Sequence, residues 1–290
     1  MTLVWSLIGA LVAGGAFFLI RWVLEARRIT SERGAAMQKK GPTPLDLAIG
    51  FVTNFFDTLG IGSFATTTAA FRLFCLVPDE LIPGTIIVGD ALAVLTQAVL
   101  FISVVEVDPL QLTALIAVCV AGGWIGTGIV TRLSRRAIQL GIGTALIVAA
   151  LFMAFGMFGL IPAGGTARAL TPTAFVLALA INFALGALLP LGIGNYAPSL
   201  VMFSLLGMDP RAAFPIMMGS GAFVATVAGA RFLSARRFHQ RMSLGLTLGG
   251  IPGVMVAVWL VKSLPLEALR VLVLVVVLYV SVTLLRRGQS

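Results

Sequence analysis

Apolar stretches of about 20 residues, the length a membrane-crossing helix needs, recur along the chain and are closed by short polar or basic segments. Leu3 to Leu24 is the first. Later runs cover Leu81 to Val105, the stretch from Pro109 to Arg132, Ile138 to Leu160, Pro210 to Ala230, Met242 to Val261 and Glu267 to Leu285. That pattern predicts seven crossings. Two stretches depart from it: Leu45 to Gly62 followed by Ser63 to Leu76, and Pro172 to Gly194 followed by Asn195 to Gly207. Each piece is too short to cross comfortably at about 1.5 Å per residue, and glycines divide the pieces. Both are read as re-entrant helical hairpins.

The two glycine breaks are near copies. TLGIGSFATTT runs from Thr58 to Thr68 and PLGIGNYAPSL from Pro190 to Leu200, with Leu59 and Leu191 standing 132 residues apart. At the same offset Phe71 matches Phe203, Pro78 matches Pro210, Pro83 matches Pro215 and Gly89 matches Gly221. Further on the spacing slips, so that Gly122, Gly123 and Gly126 correspond to Gly249, Gly250 and Gly253. These small residues read as packing faces of paired helices. One hairpin plus three crossings per copy makes the second copy start on the opposite side of the membrane. The expected fold is therefore an all-α polytopic membrane protein of inverted repeats. Residues 1–44 form an N-terminal transmembrane helix and basic loop, 45–160 repeat 1, and 172–287 repeat 2.

Composition excludes a soluble globule. Of 290 residues 59% are hydrophobic and 11% charged, against about 25% charged in soluble domains, and the mean hydropathy is +1.06. The net charge of +9 does not point to nucleic acid, because the Lys and Arg residues sit in short clusters between apolar runs, where the positive-inside bias puts them. Fourteen of the twenty lie in the loops and tail expected in the cytoplasm, while Arg168, Arg211, Lys262 and Arg270 fall at the other face. The N-terminus is then periplasmic and the C-terminus cytoplasmic in a bacterial inner membrane. No basic n-region precedes the first run, and Arg21, Arg27 and Arg28 follow it, so it reads as a retained span and not a signal peptide. Cys75 and Cys119 lie in apolar runs without metal-ligand or CxxC spacing.

The candidate chemistry sits at the glycine breaks. A helix that starts inside the bilayer leaves about four backbone N–H groups without intrahelical partners, and its dipole is positive at that end. A small anion satisfies both. The candidate substrate-binding residues are Gly60, Gly62, Ser63, Phe64 and Thr67 in the first tip, and Gly192, Gly194, Asn195 and Tyr196 in the second. Ser63 and Asn195 are good N-cap types that could cap their helices or bind substrate. Phe64 and Tyr196 could bracket an organic group or fill space between hairpins. Asp57 and Asp90 are ionisable groups inside membrane segments, candidates for a coupling proton; Asp90 has Ala222 as its repeat partner, which argues against a symmetric structural role. Arg72 and His239 read as a snorkelling side chain and a loop residue. No cofactor or metal is expected.

The paired glycine turns, with Pro78 and Gly84-Thr85 after the first and Pro210 after the second, resemble the TauE/SafE family of sulfite and organosulfonate transporters over nearly the whole chain from Leu45. The resemblance implies a sulfite-exporter-like carrier whose partners are the lipid bilayer and a small sulfur oxyanion or sulfonate. The chain departs from the family pattern at Ser63-Phe64 with Ala69, at Asn195-Tyr196 with Val201, and at Ile216-Met217, where Gly84-Thr85 has no counterpart. Secondary-active transport is the first reading, an anion channel of the same architecture the second and a membrane-embedded enzyme the third. The chain carries little catalytic equipment and no Walker-type loop.

Overall fold

The computed structural model describes residues 2–33, 41–126, 165–189 and 196–289, with scattered positions between 136 and 155. Helix α1 spans Thr2–Arg33, α2 Pro44–Thr58, α3 Ser63–Leu73 and α4 Ile82–Val104. Next comes α5, Pro109–Ala121, continued by a π-helical turn over Gly122–Gly126. The second half holds α6, Pro172–Leu188, α7, Tyr196–Leu205, α8, Pro210–Ala235, α9, Gln240–Ser263, and α10, Leu266–Gln289. Among the described residues no strand occurs beyond one isolated bridge between Ala167 and Met208. The protein is all-α. Among the described residues four helices are long and apolar enough to cross a membrane: Thr2–Arg28, Asp79–Val104, Pro210–Ala235 and Gln240–Ser263. The crossing expected over Ile138 to Leu160 falls largely outside the described residues.

The first break comes where the sequence places it, for local reasons. Thr43 and Asp46 form a capping box that starts α2, with Asp46 N–H donating to Thr43 Oγ1 at 3.3 Å and Thr43 N–H donating to Asp46 Oδ2 at 2.9 Å. That helix ends in a Schellman turn: Gly60 N–H donates to the Asp57 carbonyl at 2.8 Å and Ile61 N–H to that of Phe56 at 3.1 Å. The turn requires a left-handed residue after the cap, which Gly60 supplies at φ +96°. Helices α3 and α7 close in the same way. Leu76 N–H reaches the Phe71 carbonyl with Cys75 at φ +50°, and Met208 N–H reaches the Phe203 carbonyl with Gly207 at φ +91°. Phe71, Cys75 and Leu76 stand 132 residues before Phe203, Gly207 and Met208, so the sequence repeat is also a repeat of backbone geometry.

Packing exchanges the halves. Helix α2 lies along α9 and α6 lies along α5, while α4 and α8 pack on each other at the centre. Three of the glycines expected on packing faces are there: a Cβ on Gly249 or Gly253 would overlap the Leu47 or Phe51 carbonyl, and one on Gly122 the Phe183 carbonyl. Ser243 Oγ donates to the Thr85 carbonyl at 3.0 Å and Thr247 Oγ1 to that of Gly89 at 2.6 Å, tying α9 to α4.

Side-chain contacts sort the helix ends into two groups. At one end Asp46, opening α2, pairs with Arg241 at 3.1 Å, its guanidinium not aligned for a hydrogen bond. Beside it the His239 N–H donates to Thr85 Oγ1 at 2.9 Å. The same end holds Arg21 against Ser234 at 2.7 Å and Arg236 against Glu25 at 2.5 Å. At the other end Gln111 clamps the Leu170 backbone through bonds of 2.8 and 2.9 Å. There Arg168 pairs with Glu106, Asp209 N–H donates to the Ala167 carbonyl at 2.9 Å, and Arg211 donates to the Leu264 carbonyl. The outer ends of α2 and α3 thus belong to the first group, and those of α6 and α7 to the second. The core between them is built on Phe101, Phe203, Phe214, Leu112, Leu115, Leu200, Ile216 and Met217, each fully buried. Trp124, Trp259 and Trp5 point outward, at 78%, 70% and 66% exposure, as apolar side chains do where lipid is the solvent.

Candidate functional site

A buried string of polar side chains joins the first glycine break to α4. Asn54 and Asp57 lie three residues apart on one face of α2, and Asp90 and Gln97 lie two turns apart on α4. The Asn54 amide donates to Asp90 Oδ1 at 3.0 Å and to the Gly50 carbonyl at 3.1 Å. The Gln97 amide donates to Asp57 Oδ2 and to Thr58 Oγ1, both at 2.9 Å. Between these pairs sits Ser63, whose hydroxyl interacts with both carboxyls. Its backbone N–H donates to Asp57 Oδ1 at 2.6 Å. Asn54, Thr58 and Gln97 are completely buried, Asp57 and Asp90 nearly so. Asp90 is the ninth residue of α4, about 12 Å along a 23-residue helix, so the string lies near mid-depth.

The N-terminus of α3 therefore already carries a carboxyl group. Its N-cap is Gly62, at φ +88° and ψ +131°, with no side-chain cap. Ser63 is the first helical residue, which corrects the expectation that it could act as the N-cap. The cap comes from the Asp57 carboxyl across the turn. A Cβ at Gly62 would meet nothing within 4 Å, whereas one at Gly60 would stand 2.9 Å from Leu200 Cδ1 on α7. The first tip consequently packs against α7 and stays open on the Gly62 side. Phe64 packs with the small apolar cluster of Ile49, Phe71 and Ile86, as a space-filler between helices. Gly192, Gly194 and Asn195 lie outside the described residues. Tyr196 opens α7, with its hydroxyl against Gly221 of α8 and within electrostatic range of Asp57 and Asp90.

Thr67 lies one turn into α3, fully buried, with its hydroxyl unpartnered. Ser199, at the 132-residue equivalent on α7, is also fully buried and unpartnered. The other threonines flanking Thr67 bond their own helix: Thr66 donates to the Ser63 carbonyl at 2.9 Å and Thr68 to that of Phe64 at 2.6 Å. Unpartnered buried polar atoms are uncommon and costly. Three more sit in the string: Asn54 Oδ1, Asp90 Oδ2 and Gln97 Oε1.

Asn54, Gln97, Thr58 and Ser199 were not singled out from the sequence. The signal was present, since Asn54, Asp57 and Thr58 form an i, i+3, i+4 polar stripe and Gln97 repeats the face of Asp90 two turns on. Arg72 is exposed and pairs with Asp79 at 3.1 Å, away from the string. His239 caps α9 through Nδ1, which accepts from Met242 N–H at 3.3 Å. Among the described residues no three His, Cys, Asp or Glu side chains converge as metal ligands. A second polar region lies at the far end: a cleft of about 300 Å³ lined by Glu106, Arg168, Asp209, Arg211 and Lys262.

Comparison with protein-family models, curated proteins and solved structures gives no match.

Proposed function

We propose that this protein is a secondary-active transporter of a small sulfur-containing anion, sulfite or an organosulfonate, coupled to a cation through Asp57 and Asp90. The observation that carries the reading is the Asp57 carboxylate on the α3 N-terminus, inside a buried string at mid-depth of the bundle. An intramembrane carboxylate is expensive to keep and marks an ion or substrate path. Broken helices whose ends face each other near the midplane are a common construction for secondary transporters. While Asp57 is charged it competes with any anion for the helix end. A cation bound beside it cancels part of that charge and lowers the cost of bringing an anion near the helix end, so cation and anion are carried together.

The Thr67 and Ser199 hydroxyls supply donors for the anion at equivalent places in the two hairpins, with the Gly62 side left open. The three cations of the far cleft, Arg168, Arg211 and Lys262, suit an anion's entry or exit. The sulfur class comes from the family resemblance of the two turns. Inverted repeats fit the exchange of halves in the packing and the entry of the two helix pairs from opposite ends. The end rich in Arg21, Arg231, Arg236, Arg237 and Arg241 is then cytoplasmic by the positive-inside rule, in a bacterial inner membrane, with the N-terminus periplasmic and the C-terminus cytoplasmic.

The test is reconstitution of the full chain in vesicles. Labelled sulfite should accumulate transiently against unlabelled sulfite in counterflow and accumulate uphill under an imposed cation gradient. Absence of uptake and of thermal stabilisation by sulfite, sulfate, thiosulfate or small sulfonates would remove the anion reading; passive flux without counterflow would favour a channel.

A further inference from the structure

We infer that the string between α2 and α4 is a binding site for a dehydrated monovalent cation of sodium size, which is the coupling ion of the proposed transporter. The inference rests on that function for the word coupling alone; the site stands on its own atoms. Asn54 Oδ1, Asp90 Oδ2 and Gln97 Oε1 are each buried without a hydrogen-bond partner, on side chains 0%, 4% and 0% exposed. All three are oxygens with electron pairs to give.

The amide orientations are fixed by their neighbours. Asn54 Nδ2 lies between the Gly50 carbonyl and Asp90 Oδ1, both acceptors. Gln97 Nε2 lies between Asp57 Oδ2 and Thr58 Oγ1, and the Thr58 hydroxyl is itself committed as a donor to the Asn54 carbonyl at 2.7 Å. Rotating either amide would set oxygen against oxygen. The two NH₂ groups therefore point at carboxylates, and the two carbonyl oxygens are left over. An anion cannot use these atoms, because they offer it no hydrogen.

A proton on Asp90 turns one carboxyl oxygen into a single donor, which satisfies at most one of the two amide oxygens. A cation draws on both amide oxygens and the carboxylate together, with the Ser63 hydroxyl, which interacts with Asp57 and Asp90, as a further oxygen ligand. Two carboxylates supply more negative charge than one monovalent ion cancels. The remainder is offset by the two amide donors and by the α3 N-terminus on Asp57 Oδ1. Oxygen ligands from carboxylate, amide and hydroxyl groups suit a hard cation, and a discontinuous helix in a bilayer is where secondary transporters hold sodium.

The experiment is equilibrium binding of radioactive sodium to the purified full-length protein in detergent at constant neutral pH, with potassium and choline as competitors. Thermal unfolding is followed in the same three salts. Wild type should bind sodium saturably, resist competition by choline, and unfold at a higher temperature in sodium than in choline. Asp90→Asn keeps an acceptor for the Asn54 amide but removes the charge, and should weaken sodium binding at least tenfold while eluting as a folded species. Saturable binding that Asp90→Asn leaves unchanged would put the ion elsewhere. No sodium binding to wild type, with sulfite uptake driven by a pH gradient alone, would assign the string to protons and overturn the inference while leaving the transporter intact. Sodium binding without sulfite uptake under any gradient would uphold the site and sink the transport reading.

Discussion

At the scale of single residues, what separates the two proposed ligands is hydrogen-bond polarity. Thr67 and Ser199 can donate; Asn54 Oδ1, Asp90 Oδ2 and Gln97 Oε1 can only accept. Thr67→Val keeps the shape of the side chain and Ser199→Ala removes one atom, so neither should disturb packing. Each is expected to weaken sulfite binding by about 1 kcal/mol, the net value of one hydrogen bond, and to leave the sodium dependence of stability alone. Isothermal titration with sulfite checks the first and thermal unfolding the second. His239 makes a different prediction. Burial, then the nearby Arg241 charge, lowers its pKa below the ordinary 6.5, with Asp46 opposing. Its neutral Nδ1 accepts the Met242 N–H that starts α9, and a protonated ring cannot. The unfolded chain takes up that proton more readily than the folded one. The cap's contribution is therefore fully present above pH 6.5 and declines as pH falls through 6.5 toward the lowered folded value. Unfolding temperatures measured down to about pH 5 should fall in wild type. His239→Asn, which can cap without titrating, should flatten that part of the curve.

At the scale of elements, the first break rests on residues that play different parts, and substitution should tell them apart. Gly62 needs its positive φ but faces open space, so Gly62→Ala should cost about 2 kcal/mol of stability from backbone strain alone. Gly84 has an ordinary helical backbone, yet a Cβ there would overlap the Arg237 carbonyl. Gly84→Ala must push the α8–α9 connection off the start of α4, and should destabilise by several times as much. Thermal or denaturant unfolding of the two variants checks the order. This contrast also shows how much could be read from sequence. The break at Gly60 and Gly62 was legible because glycine in an apolar run has few local alternatives. That Asp57 caps α3 was not. It depends on a carboxylate reaching across a four-residue turn, and the turn's shape is set by the Schellman bonds to Asp57 and Phe56. Gln97 was hidden for a related reason: in an apolar helix a lone amide shows its role only once its partner on another helix is known.

At the scale of the whole molecule, the question is whether α2 and α3 cross the membrane or return. Together they run from Pro44 to Leu73, which is enough chain to span a bilayer if the two were collinear. The contacts argue for return: Asp46 at the start of α2 pairs with Arg241, and Arg72 near the end of α3 pairs with Asp79. Asp79 leads directly into α4, whose first turns carry Thr85, the acceptor for the His239 N–H. Both outer ends of the pair thus sit at the end of the bundle where the Arg231 to Arg241 cluster lies. A native probe stands at the right place, because Cys75 is exposed just after α3 while Cys119 is buried. In the proposed orientation Cys75 faces the cytoplasm. A membrane-impermeant maleimide should leave it unlabelled in intact spheroplasts and label it in inside-out vesicles, and Cys75→Ser should abolish the signal. Labelling from the outside would mean either that α2 and α3 cross as one span or that the whole bundle is reversed. A second cysteine placed in the loop before α2 separates these, since a crossing puts the two positions on opposite faces and a reversal keeps them together. Only their lying together on the cytoplasmic face fits both a returning hairpin and the positive-inside assignment.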